Sequence, residues 1–128
     1  MKKTIIYLGL ALLAISNVAM ASTATTVSQF ELVKEYRNNT PLAIAILKGD
    51  VETVKKFIEY GADVNEKSNG LTPLMVAARY NRVDIIKILL AKGANLKTVD
   101  ENGYTALKYA QFSKAAEAEL LIKQELNA

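Results

Sequence analysis

The chain has 128 residues, 16 Lys and Arg against 13 Asp and Glu, and no His, Cys or Trp. That length fits one domain at most. Lacking His and Cys, it is without the commonest general base, the commonest metal ligand and the strongest nucleophile, and no disulfide can staple its fold.

The first element reads as a leader. Lys2 and Lys3 make a positive start, Ile5 to Ile15 an apolar run and Ala19-Met20-Ala21 a small-x-small site, the three parts of a secretory signal peptide over residues 1–21. The apolar run is shorter than the roughly 20 residues of a spanning helix, and no Cys follows the cleavage site to carry a lipid. The expectation is therefore an exported chain that begins at Ser22, with no stable membrane insertion once the leader is cleaved. Its location would be periplasmic, or extracellular. Cleavage removes two of the 16 basic residues and leaves 14 against 13 acidic ones. The basic excess nearly vanishes, no cluster larger than pairs such as Lys55-Lys56 remains, and no nucleic-acid partner is expected.

Residues 22–37 divide in two. Ser22 to Thr26 are small and polar and read as a linker, whereas Ser28-Gln29-Phe30-Glu31 has the form of a capping box. The helix it would open carries Phe30, Leu32, Val33 and Tyr36 and could cover the outer face of whatever follows.

From residue 38 a unit of helix, turn and helix recurs, and Asn69 to Ala94 shows it most fully. Thr72 is suited to cap a helix and Pro73 to occupy its first position, where a missing N–H costs nothing. Asn81 tolerates the positive φ of a tight turn, and Gly93 closes the second helix, Val83 to Lys92. Thr40-Pro41-Leu42 stands 32 residues before Thr72-Pro73-Leu74, and Thr105-Ala106-Leu107 stands 33 after it. Gly61-Ala62-Asp63 precedes Gly93-Ala94-Asn95 by the same 32 residues.

A period of about 33 with Thr-Pro-Leu opening a helix pair, in phase with Gly-Ala-Asx and with the Ala77-Ala78 pair, resembles the ankyrin-repeat family. The resemblance runs from about Asn38 to the C-terminus. It implies an all-α solenoid of about three helix-turn-helix repeats with short hairpin connections, at about 38–69, 70–102 and 103–128. In the family pattern a His follows Thr-Pro-Leu and ties neighbouring repeats together. Ala43, Met75 and Lys108 stand there instead, so packing has to replace that tie.

The repeats differ in ways that depend on position. The second helix of the middle unit offers Ile85 and Ile88 on one side and Ile86 and Leu90 on another. The first unit has Thr53 and Lys56, then Val54 and Ile58, and the third has Ala118 and Leu121, then Glu119 and Lys123. The outer units thus turn polar on opposite faces, as expected of a complete three-repeat array with capped ends. The connections differ as well. Asp100-Glu101-Asn102-Gly103 fits a hairpin turn with Gly103 at positive φ, while Ser68-Asn69-Gly70 is one residue shorter and should have a tip of another shape. In the third unit no Gly or Asn marks a turn near Ser113-Lys114. Ala115, Ala118, Leu121, Ile122 and Leu126 still form a helical stripe.

Sites for chemistry are sparse. Asp100 and Glu101 lie in a turn, where bonding to local backbone is their expected task. Glu117 and Glu119 are two apart on a helix and share no face, and the glycines follow the repeat rather than clustering as a phosphate loop would. No enzyme, cofactor, metal or small-molecule substrate is expected. The resemblance implies instead a monomeric protein-binding module that uses its concave face and hairpin tips. Matched to the family's contact positions, the first tip offers Lys67, Asn69 and Leu71, and the first helix of the middle repeat offers Arg79 and Tyr80. The next tip offers Val99, Glu101, Asn102 and Tyr104, and the third unit's first helix offers Phe112 and Ser113. Tyr80, Tyr104, Phe112 and Arg79 are residue types that anchor interfaces, although Phe112 taken alone is better explained by packing under the last helix. The other reading is a structural or stress-related factor of the cell envelope, associated with membrane or wall.

Overall fold

The computed structural model describes residues 38–128, so the leader expected at 1–21 and the linker and capping helix expected at 22–37 lie outside the described residues. The described chain forms three antiparallel helix pairs: α1 (Pro41–Lys48) with α2 (Val51–Glu59), α3 (Pro73–Arg79) with α4 (Val83–Ala91), and α5 (Ala106–Phe112) with α6 (Ala116–Leu126). The first helices stack on one another, α3 between α1 and α5, and the second helices stack likewise, α4 between α2 and α6.

Each first helix starts for the reason its sequence suggests. The hydroxyls of Thr40, Thr72 and Thr105 accept the N–H groups of Ala43, Met75 and Lys108 at 3.2, 3.2 and 3.3 Å. Pro41 and Pro73 occupy first positions. These contacts satisfy donors that a helix start otherwise leaves open. The second helices are capped less uniformly. Asp50 caps α2 by accepting Thr53 N–H at 3.2 Å, whereas α4 and α6 have no side-chain cap.

The turn inside each pair falls on equivalent residues that all take the left-handed conformation: Gly49 (φ 70°), Asn81 (φ 54°) and Lys114 (φ 57°). The third was invisible in the sequence, because Lys is not a residue that marks this conformation. The geometry of the pair imposes it there.

Buried side chains run continuously through the stack. Leu42, Ala45 and Ile46 of α1, Leu74, Met75, Ala77 and Ala78 of α3, and Ala106 and Ala110 of α5 form the layer contributed by the first helices. The alanines let adjacent helices approach closely. On the second helices the expected opposition between the ends is present. Ile85 and Ile86 are both buried; of their counterparts in α2 only Val54 is buried and not Thr53, and in α6 only Ala118 and not Glu119. Ile88 and Leu90 are half-buried, and Leu89 completes the buried set instead, because it lies at i+3 and i+4 from Ile86 and Ile85.

Where the family His would stand, Ala43 and Met75 are buried and Lys108 is exposed. The Met75 sulfur accepts Thr72 N–H at 3.4 Å, which keeps its polar role within one repeat. Ties between repeats come from other residues. Arg82 donates through Nη2 to the Leu47 carbonyl at 2.5 Å, Asn81 Oδ1 accepts Ala118 N–H at 3.1 Å, and Asn65 Oδ1 accepts Asn95 N–H at 2.9 Å.

The hairpins differ by one residue and therefore by type. Ser68 and Leu71 exchange backbone bonds of 2.8 and 3.0 Å around Asn69 (φ 51°) and Gly70 (φ 78°), a two-residue loop with both centres at positive φ. In the second, Asp100 N–H donates to Tyr104 O at 3.0 Å and Gly103 N–H to Asp100 O at 3.0 Å, leaving three residues between the paired ends. Only Gly103 in that loop needs positive φ.

Candidate functional site

The second hairpin is built outward from Asp100. Its Oδ1 accepts the N–H groups of Asn102 at 3.0 Å and Tyr104 at 2.8 Å, while Oδ2 accepts the phenol of Tyr109 from α5. The Tyr109 hydrogen bond, with the two backbone bonds, holds the carboxyl below the usual carboxylate range. Burial, followed by the hydrogen bond to Asp100, pushes the Tyr109 phenol up to about 12. A group so hard to ionise is no acid or base near neutrality. It is a strut between the tip and the helix.

That strut assembles a ring cluster. Tyr104 meets Tyr109 edge to face with centroids 6.2 Å apart, and meets Phe112 in the same manner at 5.0 Å. Lys108 lies over the Phe112 ring at 5.1 Å. Phe112 is 56% exposed, so it does not pack under α6 as its sequence context suggested. The ring of Tyr104 and the ammonium of Lys108 hold it at the surface.

Arg79, at the end of α3, lies 5.7 Å from the centre of the Tyr80 ring. It also borders an open hollow with Tyr109, Phe112 and Ser113. Of the expected residues, Arg79 and Phe112 thus come together around one depression, with Tyr104 joined to it through the Tyr109 and Phe112 rings and Tyr80 through Arg79. The sequence reasoning missed Tyr109. Its signal was the i, i+3 spacing from Phe112 on α5, which places both rings on the side facing the hairpin.

The other candidates are spread out. Lys67 and Asn69 are exposed on the first tip, and Asn69 Nδ2 donates to Asn39 Oδ1 at 2.9 Å. Leu71 is half-buried against the core. Val99, Glu101 and Asn102 are exposed along the second tip. Among the described residues no group of three or more Asp, Glu, His or Cys could hold a metal ion, and no helix is long and apolar enough to cross a membrane.

Comparison with known proteins agrees with the geometry. The family model for ankyrin repeats in three copies matches residues 12–100 and 67–128. The human Ankyrin repeat and SOCS box protein 11 is 39% identical over 85 residues, 66% of this chain and 26% of that protein. The Phosphocholine transferase AnkX of Legionella pneumophila is 36% identical over 86 residues, 66% of this chain and 9% of the other. The mouse 2-5A-dependent ribonuclease is 37% identical over 91 residues, 70% of this chain and 12% of the other. The chain thus spans about a quarter or less of the length of these relatives. The enzymatic names belong to proteins of which only a small part is matched.

Proposed function

The chain belongs to the ankyrin-repeat family, and on that premise we propose that it is a non-catalytic protein-interaction module, exported from the cell and acting in the periplasm or outside. It binds a protein partner as a monomer, through the concave side that carries the hairpin tips and first helices. The observation that carries this reading is Phe112, a large ring kept 56% exposed by its neighbours. Aromatic and Arg side chains are the usual anchors of protein interfaces. Here three rings are already fixed by edge contacts and by the bond from Tyr109 to Asp100, so docking a partner costs little side-chain ordering.

The test is capture of partners from the exported fraction of the native host. One bait is the product of the full chain; the other carries Arg79→Ala and Phe112→Ala, two exposed changes that spare the core. A protein retained by the first and lost by the second is the expected result. If the two baits retain the same proteins, this surface is not the binding site. If neither retains any, association with the envelope itself becomes the better reading. Export is checked separately by the mass of the isolated protein, which should correspond to a chain beginning at Ser22.

A further inference from the structure

The cluster around Phe112 is apolar in its centre and cationic at its edge. Arg79 and Lys108 both contact aromatic rings, and among the described residues neither makes an ion pair or donates a hydrogen bond to a protein oxygen. The carboxylate within the cluster pairs with neither of them. Asp100 turns its two oxygens to two backbone N–H groups and the Tyr109 phenol. The planar fork of Arg79 therefore keeps its donors for a molecule from outside.

Anything that covers the Phe112 ring must take water away from both cations. An apolar surface offers nothing in return, and a basic one repels them. An anionic group compensates the lost hydration, and a carboxylate fits the guanidinium through two parallel bonds. A second open hollow, bordered by Arg82, Lys87, Asp84 and Glu117, carries both signs of charge and favours no ligand.

We propose that the Arg79–Phe112 hollow receives an acidic segment of a protein partner, in which one carboxylate engages Arg79, another meets Lys108 beside the Phe112 ring, and an adjacent apolar side chain covers that ring. This rests on the reading above that this side of the stack binds protein. It adds the chemistry of what is bound.

The experiment is selection from a random peptide-display library by the product of the full chain, with the best peptide then synthesised and its affinity measured. The expected peptides place Asp or Glu beside Leu, Phe or Tyr. Replacing their acids by Asn and Gln weakens binding about tenfold or more, and raising the ionic strength weakens it too. The variant Arg79→Glu/Lys108→Glu loses the acidic peptides and selects basic ones, while Arg79→Gln/Lys108→Gln loses the acidic ones without gaining basic ones. Thermal melts like that of the parent chain show that both variants are folded. Peptides that lack acids yet compete for the same surface overturn the inference and leave the binding module standing. If no peptide of any composition is selected, both fall.

Discussion

The middle helix pair and the pair that follows it trace the same backbone path with different means of support. In the middle pair Ile85, Ile86 and Leu89 are buried together, Met75 is buried with its sulfur on the Thr72 N–H, and the turn residue Asn81 reaches across to the next repeat. In the following pair the counterparts are Ala118, Glu119 and Ile122, Lys108 is exposed, and Lys114 holds the turn. There the hairpin is braced by Asp100 and Tyr109, whereas the first hairpin is tied through the Ser68 hydroxyl to Asn39 and the Thr40 N–H. The lesson is that a repeat needs its threonine cap, its left-handed turn and its hairpin. The side chains between those points are free to serve cohesion in one copy and exposure in another.

The largest expected effect is at the centre. Ile86→Ala should cost about 2 to 5 kcal/mol in urea denaturation, as a buried large-to-small change does. Equal, small effects for Ile86→Ala and Glu119→Ala would remove the distinction between the two pairs.

Acid should act next, at the second hairpin as well as at the Asp50 cap of α2 and at Glu119, whose carboxyls are also held below the ordinary range. The Asp100 carboxyl is held below its ordinary 3.8, so its contribution is present above that value and is lost as pH falls through the lower folded value. In an NMR titration the amides of Asn102 and Tyr104 should shift through that acid range. The Thr40 amide should stay still, because it bonds to the Ser68 hydroxyl at 2.9 Å. Tyr109 works in the opposite sense. Its raised phenol contributes stability below its ordinary 10, and that is lost as pH rises through about 12.

The two inner turns sharpen the contrast at smaller scale, since one substitution should have opposite signs. Asn81→Gly keeps the positive φ but removes the acceptor of Ala118 N–H, and should cost about 1 kcal/mol. Lys114→Gly removes a conformational penalty and should gain about 0.5 to 1 kcal/mol, the left-handed cost less the entropy of glycine. Denaturant midpoints of the two variants decide it. Smallest of all, Glu119→Ala, which removes a partly exposed ion pair with Lys123, should barely move the midpoint.

Much of this architecture was legible because local chemistry dictates it. Thr40, Thr72 and Thr105 announce helix starts, Asn81 announces a turn, and one extra residue between Asp100 and Tyr104 announces a different tip. What stayed hidden depends on contacts between elements. Lys114 carries no sign of the turn its neighbours impose. Tyr109 meets Asp100 only after the hairpin has folded onto α5, and that contact in turn helps keep Phe112 outside rather than under α6. The boundaries of α6 were obscure for a simpler reason, since Ala115 offers no side chain to cap it and no Gly ends it.

The bond from Arg82 to the Leu47 carbonyl has a corollary for anyone wishing to lengthen this protein. The guanidinium crosses above Gly49, and a Cβ placed there would stand 2.9 Å from Arg82 Nη1. Duplicating the middle repeat in tandem would set the Asn81 of one copy in the place of Gly49 beneath the Arg82 of the next. The guanidinium would be pushed off its carbonyl at that seam. These repeats are not interchangeable modules: each junction is a matched pair of residues, and a designer would have to transplant both halves together.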